Sequence, residues 1–197
     1  ASRERERRDA LLARFREGVW RLDSASHAQD LLEPLREVID ASEVPYNVFG
    51  VNVIESEAEG RIRVFTTGAL GFHERLLEAV HAEKVMDFWR GGEVVNRRDL
   101  WSTDALGELK TWSHREQESK GPRSIVDVPF SHGTLAANSH KADAFSSHLG
   151  LLADLAGILS EGFRRLDDLQ ALRDRTARAE VAQRTAEAAN RSKSVFL

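Results

Sequence analysis

Residues 144–197 contain no proline, and their only glycines are Gly150, Gly157 and Gly162. Ser146 and Ser147 follow Phe145 as N-cap candidates, and no stop signal comes after them. A helix over this stretch runs about 75 Å at 1.5 Å per residue, well over twice the width of a small domain. Everything else must therefore be arranged around a rod that leaves the domain. The first part of the rod is apolar on a wide face. Leu149, Leu152, Ala156, Leu159, Phe163 and Leu166 follow one three-four stripe, and Leu151, Leu155 and Ile158 a second beside it. Together they cover about half the circumference, more than a single contact needs. One stripe is expected to lie on the chain's own sheet and the other on a partner helix. Past Leu172 the seam positions read Thr176, Ala179, Gln183, Ala186 and Asn190. Small and polar residues there make a weak coiled coil that shifts register at little cost.

Residues 3–22 form a second, charged amphipathic helix, with Leu11, Leu12, Phe15, Val19 and Leu22 on one side. Such a stripe wants a partner: the long C-terminal helix or its copy in a dimer. Leu12, Phe15, Val19, Leu152, Leu155, Leu159, Phe163 and Leu166 are thus the expected dimer and signalling contacts. The chain has no cysteine, which excludes disulfides, thiolate catalysis, cysteine-ligated metals and thioether-anchored chromophores. Charge is −4 overall with both signs interspersed, so no basic stripe invites nucleic acid. No apolar run reaches the roughly 20 residues of a membrane span, and no signal peptide opens the chain. A cytoplasmic fragment without membrane contact is expected. Because it begins at Ala1 and has Met86 as its sole methionine, it reads as a piece of a longer protein.

Between the two helices the pattern alternates. A Ser26-x-x-Gln29 capping box opens a helix through Leu31, Leu32, Leu35, Val38 and Ile39, with Pro34 kinking it or marking a late start. Residues 47–54 and 61–67 read as paired strands, 72–89 as a helix closed by Gly91-Gly92, and 93–97 as a short strand. Residues 100–118 read as a helical segment. Residues 123–130 and 134–138 form a hairpin around Gly133. Strands joined by short turns predict an α+β fold: one central antiparallel sheet with helices on both faces.

The run Ser124-Ile125-Val126-Asp127-Val128-Pro129-Phe130-Ser131-His132-Gly133-Thr134-Leu135-Ala136-Ala137-Asn138-Ser139, followed by Ala144-Phe145-Ser146, resembles the hairpin and closing helix of GAF domains. Glu93-Val94-Val95-Asn96 is similar to that family's short middle strand. The resemblance covers residues 24–166 and implies a sensory or scaffold domain, dimeric through its first and last helices. It also implies a ligand between the sheet and its covering helices. A covalent tetrapyrrole is disfavoured without cysteine, and the cyclic-nucleotide pattern of the family is missing. Haem or a small metabolite remains. At the end, Asn190-Arg191-Ser192-Lys193-Ser194-Val195-Phe196-Leu197 resembles the lead-in to the dimerisation helix of sensor histidine kinases, which implies a phosphoacceptor segment downstream.

Seven histidines are present, in no metal-ligand spacing, so no metal is expected. His81, on a helix that would roof the pocket, is the one weighed as a haem or ligand contact. Phe88, Trp89, Trp101 and Trp112 are expected to rim the pocket, with Arg98 of the Arg97-Arg98 pair toward an anionic ligand and Val126 and Val128 lining its floor. Asp127 is expected on the exposed sheet face. Nucleophile elbow, phosphate-cradling loop and paired carboxylates are all lacking, so no catalysis is expected of the fragment. The organisation expected is an N-terminal helix (1–23), a GAF sensor domain (24–166) and a signalling helix (167–197) leading to a kinase module. The alternative is a ligand-free dimerisation scaffold with a filled core.

Overall fold

The computed structural model describes residues 2–68, 71–109 and 121–195. Helix α1 (Ser2–Trp20) leads through a single 3-10 turn (Ala28–Leu31) into α2 (Leu32–Ala41). Strands β1 (Val48–Ser56), β2 (Arg61–Gly68) and β3 (Gly71–Leu76) follow, then α3 (Ala79–Gly91) and β4 (Val95–Arg97). The hairpin β5 (Ser124–Phe130) and β6 (Gly133–Ser139) precedes the long helix α4 (Leu149–Val195). All six strands join one antiparallel sheet in the order β3-β2-β1-β6-β5-β4. Helices cover both faces, as the alternation of elements predicts. Among the described residues no helix is long and apolar enough to cross a membrane.

Strand parity decides what each face carries. Phe49 and Val51 in β1, Phe65 in β2, Val126, Val128 and Phe130 in β5, and Leu135 and Ala137 in β6 point to one side. There they form a core with α1, α2 and the first turns of α4. Leu152, Leu155 and Leu159 of α4 are fully buried in it, each contributing about 1.5–3 kcal/mol through apolar burial.

Helix α1 lies alongside α4 in parallel. Arg8 pairs with Asp154 and donates to the Gly150 carbonyl at 2.7 Å; Arg16 meets Glu161 at 3.2 Å; Arg165 donates to the Leu22 carbonyl at 2.9 Å. Phe15 and Val19 enter the same core as Leu152, Leu155, Leu159 and Phe163, while Leu12 and Leu166 pack partly buried at its margin. The stripes read as partner-facing are taken up within one chain. The reason is width: the half-circumference of apolar surface on α4 holds α1 and the 3-10 turn before α2 as well as the sheet. The helix becomes solvent-exposed past Arg173, whose guanidinium reaches the Ser26 carbonyl at 3.5 Å. Its last turns extend roughly 30 Å beyond that point.

Three local expectations are corrected and one alternative, at Pro34, is decided. The capping box sits one residue later: the His27 amide donates to the Asp30 carboxylate at 2.7 Å, while Ser26 accepts from the Asp23 amide. Pro34 falls in the first turn of α2, where its missing N–H costs nothing, so it marks a late start without a kink. Residues 72–76 are edge strand β3, not the start of a helix; α3 begins at Ala79. Of the helical segment expected over 100–118, residues 101–107 are turns and irregular backbone, 108–109 are helical, and 110–118 lie outside the described residues.

Candidate functional site

The other sheet face carries the alternate residues: Val48, Gly50 and Asn52 of β1, Val64 and Thr66 of β2, Ile125 and Asp127 of β5, Thr134, Ala136 and Asn138 of β6. Helix α3 crosses above them. Between lies a cavity of about 280 Å³, walled by Val64, Leu77, Val85, Phe88 and Ile125 on its apolar side. Gly50 belongs to its floor. A Cβ there would sit 1.9 Å from the Phe65 carbonyl oxygen of the neighbouring strand, so only glycine lets β1 and β2 close at this point.

The polar side of the cavity is a buried network across four strands. Asn52 donates from Nδ2 to Thr134 Oγ1 at 2.9 Å, and that hydroxyl donates to Asp127 Oδ1 at 2.9 Å. Arg97 Nη2 donates to Asp127 Oδ2 at 2.6 Å, and Arg97 Nε lies 3.0 Å from Glu108 Oε2. The side chains of Arg97, Glu108 and Asp127 are 10%, 10% and 5% exposed. The Arg97 guanidinium also stands 4.9 Å from the Phe88 ring centre, tying α3 to the cluster. Asp104 fixes the backbone before Glu108, accepting from the amides of Glu108 at 2.7 Å and Leu109 at 3.0 Å. Burial pushes the Glu108 carboxyl above its usual range against the pull of Arg97.

His81 and Lys84, one turn apart on α3, line the cavity together with Arg75 from β3. Burial first, then Lys84 and Arg75, lower the His81 pKa from its ordinary value. Lys84 donates to the Leu106 carbonyl at 2.6 Å, which leaves two of its three ammonium donors for other partners.

Of the pocket residues expected from sequence, His81 and Phe88 line the cavity. Trp89 does not; its indole donates to the Phe130 carbonyl at 3.0 Å and pins α3 to the end of β5. Trp101 is 42% exposed with Arg123 stacked 5.2 Å from its ring. Arg98 points to solvent and pairs with Asp143 at 3.0 Å; Arg97 is the arginine inside. Val126 and Val128 are buried on the opposite face against the α4 core, because Asp127 between them takes the cavity side. Trp112 lies outside the described residues. Asp127, expected on the exposed sheet face, is buried on the cavity side, and Asn52, Lys84, Glu108 and Thr134 were not expected there from sequence. The signal was present in the polar residues seated mid-strand in β1, β5 and β6, facing each other across the sheet.

The cavity lies just under the roughly 300–1,000 Å³ typical of drug-sized ligands. Among the described residues that volume is small for a tetrapyrrole macrocycle such as haem. No three His, Asp or Glu side chains come together as a metal site among the described residues.

No protein-family description and no curated protein matches the chain in sequence. Solved structures do match in fold. Free methionine-R-sulfoxide reductase from Neisseria meningitidis, in complex with its substrate, aligns at a TM-score of 0.56 and 18% identity, over 82% of this chain and 90% of that one. A GAF domain aligns at 0.52 and 13%, over 80% and 88%. The red light-absorbing state of a red/green cyanobacteriochrome aligns at 0.53 and 16%, over 74% and 99%. The architecture of this chain is GAF-like.

Proposed function

We propose that the chain is a sensory domain: a small molecule entering the cavity under α3 biases how α4 is held, and α4 carries the change to an output module. In our reading the module is a histidine kinase and the working unit a parallel dimer. The observation that carries this proposal is the double duty of β5. Ile125 and Asp127 face the cavity while Val126, Val128 and Phe130, on alternate positions, meet the α4 core. The Phe130 and Phe163 rings lie 5.2 Å apart, and His132 Nε2 at the hairpin tip is 2.7 Å from Asp167. A displacement of β5 is thus felt by α4 one residue away, and α4 continues into solvent. A ligand favouring one placement needs to distinguish the two by about 1–3 kcal/mol to act as a switch.

The scaffold reading expects this face filled; a cavity of about 280 Å³ with a charged wall weighs against it. On our reading the chain performs no chemistry itself, and the lack of cysteine leaves no thiol for redox turnover. The test is sedimentation of the whole chain at high micromolar concentration, followed by spin labels at Ala182 on the exposed part of α4. A dimer with one short label-to-label distance supports the proposal; a monomer refutes the relay.

A further inference from the structure

We propose that the cavity takes a small amphipathic organic anion, a carboxylate on a short apolar body, with its charge at Lys84 and His81 and its body against Phe88 and Val64. This rests on reading the cavity as a ligand site and specifies the ligand's class. The argument is one of charge and placement. The charged groups on the cavity wall are Arg75 from β3, Lys84 from α3, Arg97 from β4, Asp127 from β5 and Glu108. Both carboxylates are within 3.0 Å of the Arg97 guanidinium, which draws the acidic charge toward the β4–β5 end, although Glu108 also lies in the field of Lys84. Lys84 and Arg75 are the charged groups that act on His81, and among the described residues three cations against two carboxylates leave the wall one charge positive even with His81 neutral. Burial is the main cause of the lowered His81 pKa; an anion delivered between His81 and Lys84 offsets the Lys84 and Arg75 repulsion that adds to it, whereas an ammonium group there would increase that repulsion.

Proton linkage follows. An anion that binds the imidazolium better than the imidazole raises the His81 pKa, so its affinity climbs as pH falls through the raised value of the complex and levels off below the lowered value of the free chain. The apolar wall selects a short hydrocarbon body over a hydrated inorganic ion.

The experiment uses the full chain with isovalerate, isovaleramide and isoamylamine, three probes of one shape that differ in charge. Calorimetry at pH 8 and pH 6 measures affinity, and the Cε1–H resonance of His81 is titrated with and without isovalerate. Isovalerate is expected to bind about tenfold or more tighter than the amide, tighter at pH 6 than at pH 8, and to move the His81 titration upward. Lys84→Met and His81→Asn should each weaken it by about tenfold, and His81→Asn should flatten the pH dependence. If the amide or the amine binds as well as isovalerate, or the His81 titration stays put in the unsubstituted chain, the anion assignment fails while the cavity stands as a ligand site. Millimolar concentrations of all three leaving the protein unaltered would overturn both.

Discussion

Replacing Arg97 by methionine keeps most of the volume that packs on Phe88 and removes the one guanidinium that both Asp127 and Glu108 face. Each carboxylate is then left in a site no more than 10% exposed. Breaking a buried ion cluster by removing one partner costs about 3–5 kcal/mol, because charge is left uncompensated. With a urea dependence of about 2 kcal/mol per molar, the unfolding midpoint should fall by about 1.5–2.5 M. The loss has a pH signature. Burial already raises the Glu108 pKa, and a carboxyl with a raised folded value contributes stability that is fully present below its unfolded pKa and lost as pH rises through the folded one. Without Arg97 that folded value climbs further, so the penalty is large at pH 7.5 and shrinks toward pH 5, where Glu108 takes up a proton. The assay is urea unfolding followed by far-ultraviolet circular dichroism at both pH values. Arg98→Met, one residue on, serves as the contrast: its pair with Asp143 is exposed, at 67% and 47%, and should be worth no more than about 1 kcal/mol. A midpoint change below about 0.5 M for Arg97→Met at pH 7.5, or an equal change at both pH values, would refute the buried-cluster argument.

Three further outcomes are expected. Tyr46 is the chain's single tyrosine; burial, then its 2.6 Å hydrogen bond to Asp40, raise its pKa to about 12. Absorbance at 295 nm should therefore titrate near that value in the folded chain and near 10 in urea, with stability declining between the two, and a folded midpoint at the unfolded value contradicts this. Gly50→Ala should cost at least about 3 kcal/mol or abolish folding, whereas Gly157→Ala, exposed on α4 with no atom within 4 Å of the added methyl, should gain about 0.5–1 kcal/mol; thermal melts of the pair read both. Leu155→Ala should lose about 2–5 kcal/mol by the same amount at every protein concentration, because Leu155 is buried in its own chain; a concentration-dependent loss would return it to a dimer seam.

The long helix, the β5–β6 hairpin and the antiparallel order were legible because each rests on a local signal: absence of breakers, a glycine at the turn, alternation along a strand. Residues 72–76 misled because β3 is an edge strand, with every side chain after Gly71 exposed; without a buried face it shows no period of two. The apolar residues from Leu76 onward then extend a helical pattern backward across Glu78, the residue that precedes the true start of α3 at Ala79. The width of the apolar face on α4 was legible but its cover was not, since amphipathicity states how much surface must be covered and is silent on whether the cover comes from the same chain; here α1 of the same chain packs on it.

The cavity wall was hidden for a different reason. In a sheet covered on both sides, a polar residue at alternate positions faces either water or a buried partner, and the alternation is identical in the two cases. Asp127 between Val126 and Val128 looks like a solvent-facing position until α3 is laid over it and Arg97 is brought beside it through the pairing of Arg97 with Ile125. The adjacent arginines make the same point: with Arg97 turned to the cavity, strand parity sends Arg98 to solvent. Cross-strand register therefore carries the functional information that composition lacks. It places Asn52 opposite Thr134 and Thr134 within reach of Asp127. That makes a polar seam through the middle of an apolar sheet, with α3 and the cavity on one side and, one residue out of phase, the root of α4 on the other.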